Sequence, residues 1–299
     1  MLDELADVVA RHSVPIWVDT MIPRLTLVRM DSSTDPHDML YEPMVCFVAA
    51  GAKRIEAGDL SWRTGAGTMF LSSLEVPITA MFDQVPYRSV VLRLDGRVLS
   101  DLLLELGGTP PREAPGAGGM SSAPVTPALI DAVLRWVRLL DTPGDIPALA
   151  GRIEGEILYR LLTGPLGPTL RQFTLADSRV AQVRTAAQWI RRHFREPLTV
   201  EAVAAAGQMS VASLYRHFKA ATGMSPVQFQ KLLRLQEARR LLVSGQVTAA
   251  GAAGAVGYAS ATQFNREYNR QYGISPGRDT AMLRSRLAVD AVTSPSAGS

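Results

Sequence analysis

The sequence contains one cysteine, four histidines and no long apolar run. Cys46 has no partner for a disulfide within the chain, and neither a CxxC pair nor a zinc-binding Cys/His spacing occurs. The histidines are scattered, so we expect no metal and no other cofactor; they are His12, His37, His193 and His217. A glycine-rich phosphate loop and a nucleophile elbow are also missing, so the sequence does not indicate an enzyme.

Membrane insertion and export are not expected either. No apolar run approaches about 18 residues, the length that marks a spanning helix. The N-terminus is acidic and lacks the basic, apolar and cleavable segments of a leader. We therefore expect a cytoplasmic protein without a membrane partner.

The charge of the chain is divided unevenly along its length. Residues 179–286 contain 16 Lys and Arg against 5 Asp and Glu, a net charge of +11, whereas the other residues have a net charge of −8. A basic block of this kind is typical of proteins that contact nucleic-acid phosphates. The 299 residues are enough for two domains, one acidic and one basic.

The basic block contains one pattern twice, at an offset of 50 residues. A glycine, a serine and a Gly-x-Ser-Pro motif recur with the same spacing. They are Gly207, Ser210 and 223–226 in the first copy, and Gly257, Ser260 and 273–276 in the second. A fixed offset indicates one supersecondary unit built twice. Each copy is predicted to form a helix, a short turn with a glycine, and a second helix.

Capping residues set the predicted helix boundaries. Thr199 is expected to cap a helix over 200–206, which Gly207 ends by adopting a left-handed conformation. Ser210 then caps a helix over 211–222. The second helix of each copy has apolar residues four apart that turn inward: Leu214 and Phe218, and Phe264 and Tyr268. The opposite faces are left exposed.

A stretch without proline or glycine, 227–243, follows the first copy. Its 17 residues would form a helix of about 25 Å. Such a rod can hold two recognition helices roughly 34 Å apart, one turn of DNA, so that both enter successive major grooves. The spacing therefore favours duplex DNA.

Five sequence motifs in the basic segment match a known pattern; they lie at 210–219, 223–226, 234–242, 256–258 and 264–268. Together they resemble the DNA-binding domain of the AraC/XylS family of bacterial transcription regulators. The resemblance implies seven helices with two helix-turn-helix units, which bind promoter DNA through the exposed faces of both second helices. The candidate DNA contacts are Ala212, Ser213, Tyr215, Arg216, Lys219, Ala261, Thr262, Asn265 and Arg266. We expect Arg216 and Arg266, equivalent in the two copies, each to reach a base edge.

The first helix of the second copy, expected over 248–256, departs from the family pattern. It contains Gly251 and Gly254, and the family usually has a large aliphatic residue near position 251. Each glycine costs about 1 kcal/mol relative to alanine in a helix interior. The second unit is therefore expected to be less rigid.

The acidic part begins with an amphipathic helix over 2–12 and continues as short strands separated by turn residues. The candidate strands are Arg24–Met30, Met44–Ala49, Lys53–Ala57, Leu60–Arg63, Thr68–Ser72, Ile78–Phe82 and Ser89–Leu94. This pattern favours a β-sandwich or a small barrel.

Seven short motifs in this part resemble the cupin-like N-terminal domain of one branch of AraC-type regulators; they lie at 41–43, 46, 51–54, 58–59, 72–73, 76–77 and 92–95. The resemblance covers residues 25–106. It implies a jelly-roll barrel that binds a small-molecule effector or mediates dimerisation. Candidates for lining a ligand cavity are Tyr41, Phe47, Trp62, Met69 and Phe82, with core packing as the alternative role of each.

Composition sets the expected domain boundaries. A segment rich in Gly, Pro, Ala and Ser, 107–127, is predicted to be flexible. Helices over 127–140 and 146–162 follow, which either pack on the barrel or form a dimer face. We expect a cupin-like domain with accessory helices over 1–165, a linker over 166–176, a double helix-turn-helix domain over 177–286 with Asp177 as its first cap, and a disordered tail over 287–299.

These features predict a two-domain protein, an all-β cupin-like barrel with flanking helices followed by an all-α domain with two helix-turn-helix units. The predicted function is sequence-specific transcription regulation. Promoter DNA and a small-molecule effector are the expected partners, and a second copy of the chain and RNA polymerase are further candidates. Two alternatives stay open: a cupin-type enzyme, which needs a clustered metal site, and an architectural protein, which binds every duplex with similar affinity.

Overall fold

The computed structural model describes residues 1–13, 17–106, 119–174, 178–245 and 247–293. They form two compact units: residues 1–188 together with 200–226, and residues 189–199 together with the chain from 227 onward. This division differs from the predicted boundary, because the first helix-turn-helix unit belongs to the same compact unit as the sheet. Within the described ranges, no helix is both long and apolar enough to cross a membrane.

The described part of the first unit is built on an eight-stranded antiparallel sheet. Its strands are β1 (Trp17–Asp19), β2 (Leu25–Met30), β3 (His37–Tyr41), β4 (Met44–Ala57), β5 (Leu60–Gly65), β6 (Thr68–Ser72), β7 (Val76–Arg93) and β8 (Met120–Pro124). They are ordered β1-β2-β7-β4-β6-β8, while β3 pairs with β7 and β5 with β4. The long strands β4 and β7 pair with each other on both sides of an irregularity.

Two pairs of predicted strands are single strands in the structure. The predicted strands 44–49 and 53–57 are the two halves of β4, and 78–82 and 89–94 belong to β7. Register shifts between Val48 and Lys53 mark a bulge in β4. A bulge changes which residues face the core, so the period-two pattern breaks although the strand continues.

The sequence pattern misses three short strands, β1, β3 and β8. Strand β8 lies inside the segment predicted to be flexible, 107–127, and pairs with β6 along its whole length. Its residues carry no strong alternation, so cross-strand pairing rather than propensity determines the strand. Residues 107–118 lie outside the described residues.

Helices cover one face of the sheet. They are α1 (Leu2–His12), α2 (Gly96–Glu105), α3 (Pro127–Arg138), α4 (Ile146–Thr163) and α5 (Gly167–Thr174). Their apolar side chains join those of alternate strand residues, such as Val45, Phe47 and Val90, in one buried core. The hydroxyl of Thr126 accepts a hydrogen bond from the Leu129 amide at the start of α3, as the capping pattern predicts.

Helix α5 lies where the composition predicts a linker, 166–176. Leu166, Leu170 and Phe173 are buried in the same core as α3 and α4. Their spacing of three to four residues is helical. Burial of these residues outweighs the local glycine and proline signal. Asp177, the predicted cap, lies outside the described residues.

The remaining described elements are all helical. They are α6 (Arg179–His193), α7 (Val200–Ala206), α8 (Val211–Thr222), α9 (Pro226–Ser244), α10 (Ala249–Ala255), α11 (Ala261–Tyr272) and α12 (Pro276–Thr293). Helix α12 extends to Thr293, into the segment 287–299 that is predicted to be a disordered tail; disorder of this segment stays a prediction. Residues 294–299 lie outside the described part.

A buried carboxylate ties three helices of the second unit together. Arg239 Nε and Nη2 donate to the two oxygens of Asp279 at 2.8 and 3.1 Å, and the Tyr268 hydroxyl donates to Oδ2 at 2.7 Å. The Asp279 side chain is only 1% exposed. The network therefore joins α9, α11 and α12 around one charge, whose burial is compensated by a cation and a hydroxyl.

Replacing Gly254 by alanine is expected to stabilise the second unit by about 0.5–1 kcal/mol, because alanine restricts the unfolded chain. A Cβ at Gly254 would meet no atom within 4 Å. Urea unfolding measures the gain. The matched control is Gly257→Ala, which should destabilise, since Gly257 has a φ of +85° and its Cβ would collide with the Arg195 carbonyl. A loss of stability at position 254 would contradict this expectation.

Candidate nucleic-acid interface

The first helix-turn-helix unit consists of α7 and α8, with the bounds that the sequence predicts. Ser210 Oγ accepts a hydrogen bond from the Ser213 amide at 3.2 Å, and Gly223 ends α8 with a φ of +75°. Leu214 and Phe218 are fully buried. Helix α8 therefore turns its opposite face to solvent.

The turn of this unit differs from the prediction at one residue. Gln208, rather than Gly207, has the positive φ, +53°. Gly207 is favoured for a different reason, because a Cβ there would lie 3.0 Å from the Gln182 carbonyl oxygen of α6. At the equivalent turn of the second unit, Gly257 itself has the positive φ.

The second unit consists of α10 and α11 and repeats these caps. Thr248 accepts a hydrogen bond from the Gly251 amide at 3.2 Å, and Ser260 accepts one from the Gln263 amide at 3.4 Å. The aromatic rings at positions 264 and 268 are fully buried. The predicted inward face of α11 is therefore confirmed.

The candidate DNA contacts lie on the outward faces of α8 and α11. Ser213 is half-buried, and the other candidates are exposed: Ala212, Tyr215, Arg216 and Lys219 in α8, and Ala261, Thr262, Asn265 and Arg266 in α11. Tyr215 is 42% exposed, which argues against packing on a neighbouring helix. Contact with DNA stays a prediction for all nine residues.

Some basic residues of the 179–286 segment have structural partners. Lys231 Nζ lies 3.1 Å from Glu267 Oε1. Arg184 donates to the Phe173 carbonyl at 2.9 Å and lies over its ring, and burial lowers the pKa of this guanidinium. The net charge of the segment therefore overstates the number of cationic side chains that are available to contact phosphates.

Replacing Glu267 by glutamine is expected to cost about 1–2 kcal/mol of unfolding free energy at pH 7 and much less near pH 3. Burial alone would raise the pKa of Glu267, but hydrogen bonds from Tyr258 and Lys231 lower it below its ordinary 4.5. Its stabilising contribution is therefore present above pH 4.5 and is lost as the pH falls through the folded-state value. Urea titrations at both pH values measure the difference; an equal cost at both would exclude the charge as its cause.

The five candidate ligand residues do not share one face of the sheet. Phe47 and Met69 lie in the core beneath the helices. The other three make edge-to-face ring contacts outside that core; they are Tyr41, Trp62 and Phe82. Alternation along the strands separates the two groups. Ligand binding by any of the five stays a prediction.

A buried lysine that the sequence pattern did not single out lies beside the second group. Lys53 is 3% exposed; its ammonium donates to the Tyr41 hydroxyl at 3.0 Å and lies 3.6 Å from Cys46 Sγ. The bulge in β4 turns Lys53 inward and leaves Arg54 exposed. No carboxylate of the described residues pairs with it. Burial alone would lower the pKa of Lys53, but the Cys46 and Tyr41 groups raise it above its ordinary value.

One recess and the distribution of metal-ligating residues also bear on ligand binding. An open recess of about 480 Å³ is lined by charged residues that include Arg24, Glu42 and Arg93, and by none of the five candidates. Arg24 already donates to both oxygens of Glu154 at 2.7 Å. Among the described residues, no three His, Cys, Asp or Glu side chains come together as metal ligands would.

Sequence models of two domain families match the chain. The AraC-type transcriptional regulator N-terminus matches residues 21–169, and a helix-turn-helix domain matches residues 203–281. The first range contains strands β2 to β8 and helices α2 to α4, and the second contains α8 to α11 with most of α7.

Curated relatives match about half of the chain. The HTH-type transcriptional activator RhaS of Escherichia coli O1:K1 / APEC is 29% identical over 160 residues, which cover 50% of this chain and 56% of RhaS. RhaS of Shigella boydii serotype 18 gives the same values. The chain thus spans about half the length of the curated relatives it matches.

Solved structures match over a larger share of the chain. The apo form of a ToxT variant from Vibrio cholerae strain SCE256 has a TM-score of 0.54 at 10% identity, covering 87% of this chain and 98% of that one. Wild-type ToxT bound to an unsaturated fatty acid has a TM-score of 0.52 at 10% identity, covering 86% and 94%. At this identity the likeness shows the fold alone. From the two domain matches, the chain belongs to the AraC/XylS family of transcription regulators and carries a helix-turn-helix DNA-binding domain.

Proposed function

We propose that the protein binds promoter DNA sequence-specifically through the outward faces of α8 and α11. The observation that carries the proposal is the equivalence of the two helices. Each has a serine cap, a buried apolar pair and an exposed arginine at the same position, Arg216 in α8 and Arg266 in α11. A guanidinium can donate to both O6 and N7 of guanine in the major groove. Readout by both helices would give a site with two parts.

We further propose that an acidic small molecule binds the sheet of the first unit near Lys53. A buried cation without a carboxylate partner is costly, so an anionic ligand group would compensate its charge. Tyr41 lies in contact with Lys53 and supplies a hydroxyl at the same place. ToxT, which shares the fold, binds an unsaturated fatty acid, and this supports an acidic effector here.

In this proposal, the protein regulates transcription in the cytoplasm and has no catalytic activity of its own. Membership in a family of transcription regulators supports this assignment. A second copy of the chain and RNA polymerase are the further partners in the proposal. The domain assignment that goes with it is a sheet domain for the effector and a double helix-turn-helix domain for DNA.

Selection of bound sites from a random DNA pool tests the proposed function. The full-length chain is used near physiological salt, with and without a mixture of carboxylic acids as effector probes. We expect an enriched motif with two elements about one helical turn apart. The matched control is the Arg216→Ala, Arg266→Ala double variant, which should enrich no motif. A pool that the wild-type chain binds without enrichment would favour the architectural alternative.

A further inference from the structure

The turn between β4 and β5 contacts the end of α8. The Asp59 amide donates to the Gly223 carbonyl at 3.1 Å, and Asp59 Oδ2 lies 2.9 Å from Lys219 Nζ. All of these residues belong to the first compact unit. One backbone hydrogen bond and one ion pair thus join the acidic sheet domain to the first candidate recognition helix.

At this contact the backbones of the β4–β5 turn and of the end of α8 approach too closely for a side chain on either one. Gly58 has a φ of +56°, and a Cβ there would collide with the Met224 side chain and the Gly223 carbonyl. Gly223 has a φ of +75°, and its Cβ would collide with the Ala57 carbonyl. Only glycine allows the two backbones to approach this closely at both positions. Met224 is 3% exposed in consequence.

A second segment of the sheet domain contacts the same helix end. A Cβ on Gly119, just before β8, would lie 2.8 Å from the Ala221 carbonyl oxygen. Ala221 and Thr222 are buried. The end of α8 is therefore packed against the sheet domain at two separate points, whereas the beginning of the helix, with Ala212, is exposed.

The ion pair itself stays in solvent. The Lys219 and Asp59 side chains are 60% and 64% exposed. Lys219 follows Tyr215 by four residues and Arg216 by three, so these side chains share one face of α8. The Asp59 carboxylate therefore lies on the same side of the helix as the candidate DNA contacts, and it neutralises one of their two cations in α8.

We propose that Asp59 competes with a DNA phosphate for Lys219, so that the sheet domain lowers the affinity of the first helix-turn-helix unit for DNA. The inference rests on the proposed DNA-binding function and adds a regulatory role for a residue far from α8 in sequence. An exposed pair is weak, so phosphates can displace it. Displacement leaves the Asp59 charge beside the DNA backbone, which opposes binding by repulsion.

Removing the charge of Asp59 should strengthen DNA binding. The full-length chain and its Asp59→Asn variant are titrated against two labelled duplexes, the site selected by the wild-type chain and a mixed-sequence duplex, at several salt concentrations. We expect a gain of about three- to tenfold at low salt on both duplexes, and a slope of log K against log salt that is steeper by about 1. Asparagine keeps the backbone hydrogen bond, so the docking of α8 is preserved.

Matched variants separate local competition from a general charge effect. Glu56→Gln removes the same charge from an exposed residue near the end of the adjacent strand β4 and should change affinity less than twofold. In the Lys219→Ala background, Asp59→Asn should give no gain, because the cation that it releases is missing. An equal gain from Glu56→Gln, or a gain that persists without Lys219, would overturn the inference while leaving DNA binding intact. Failure of every variant to bind either duplex would instead overturn the proposed function.

Discussion

The Asp279→Ala variant is expected to lose about 3–5 kcal/mol of unfolding free energy, the largest loss that we predict for the second unit. The Asp279 carboxylate accepts hydrogen bonds from Arg239 and from the Tyr268 hydroxyl. Its removal leaves a guanidinium that is 16% exposed and a buried hydroxyl without their acceptor. Both groups then lose the hydrogen bonds to Asp279 that offset their desolvation cost.

Urea titration combined with pulsed amide exchange measures this loss and locates it. We expect early exchange in peptides from α9 and α12, because these helices lose their link, while the strands of the first unit keep their protection. The matched control is Arg278→Ala, an exposed neighbour on α12, which should stay within about 0.5 kcal/mol of the wild type.

A double variant separates the charge from the side-chain volume. Arg239→Met together with Asp279→Leu removes both charges and keeps apolar bulk, and it should recover most of the loss. A double variant as unstable as Asp279→Ala would show that packing or the Tyr268 hydrogen bond, rather than an uncompensated charge, accounts for the effect.

Local signals in the sequence predict the DNA-binding elements well, since the decisive interactions there are short in range. The serine caps at 210 and 260 accept hydrogen bonds from amides three residues later, and the inward pairs lie one helical turn apart. Both relations can be seen within about ten residues of chain. The same holds for Thr126 and α3.

The features that sequence reasoning missed depend on residues far apart in the chain. Arg239 and Asp279 are separated by 40 residues, and the Asp59 contact with Lys219 spans a much greater distance. Lys53 was missed for a different reason, which lies within a single strand. The bulge in β4 reverses which residues face inward. Helix α5 was missed because burial of Leu170 outweighs a weak local propensity.

Arg266→Ala is expected to weaken binding to the selected DNA site by about 1–3 kcal/mol, or roughly 5- to 150-fold in Kd. The side chain is exposed on α11, so stability should stay within about 0.5 kcal/mol of the wild type. If Arg266 donates to a guanine, its removal also relaxes the preference at one base pair, because no other group then rejects the wrong base.

Binding is measured at one fixed salt concentration against the selected site, its single-base variants and a mixed-sequence duplex. The matched control is Arg270→Ala, which removes the same charge from another exposed residue of α11 and should weaken all duplexes alike. Arg216→Ala should reproduce the effect of Arg266→Ala at the other half of the site, since the two arginines are equivalent in the repeat. If Arg266→Ala lowered the affinity for every duplex equally, Arg266 would contact a phosphate and not a base edge. Base readout would then rest on α8, and the site would contain one specific element instead of two.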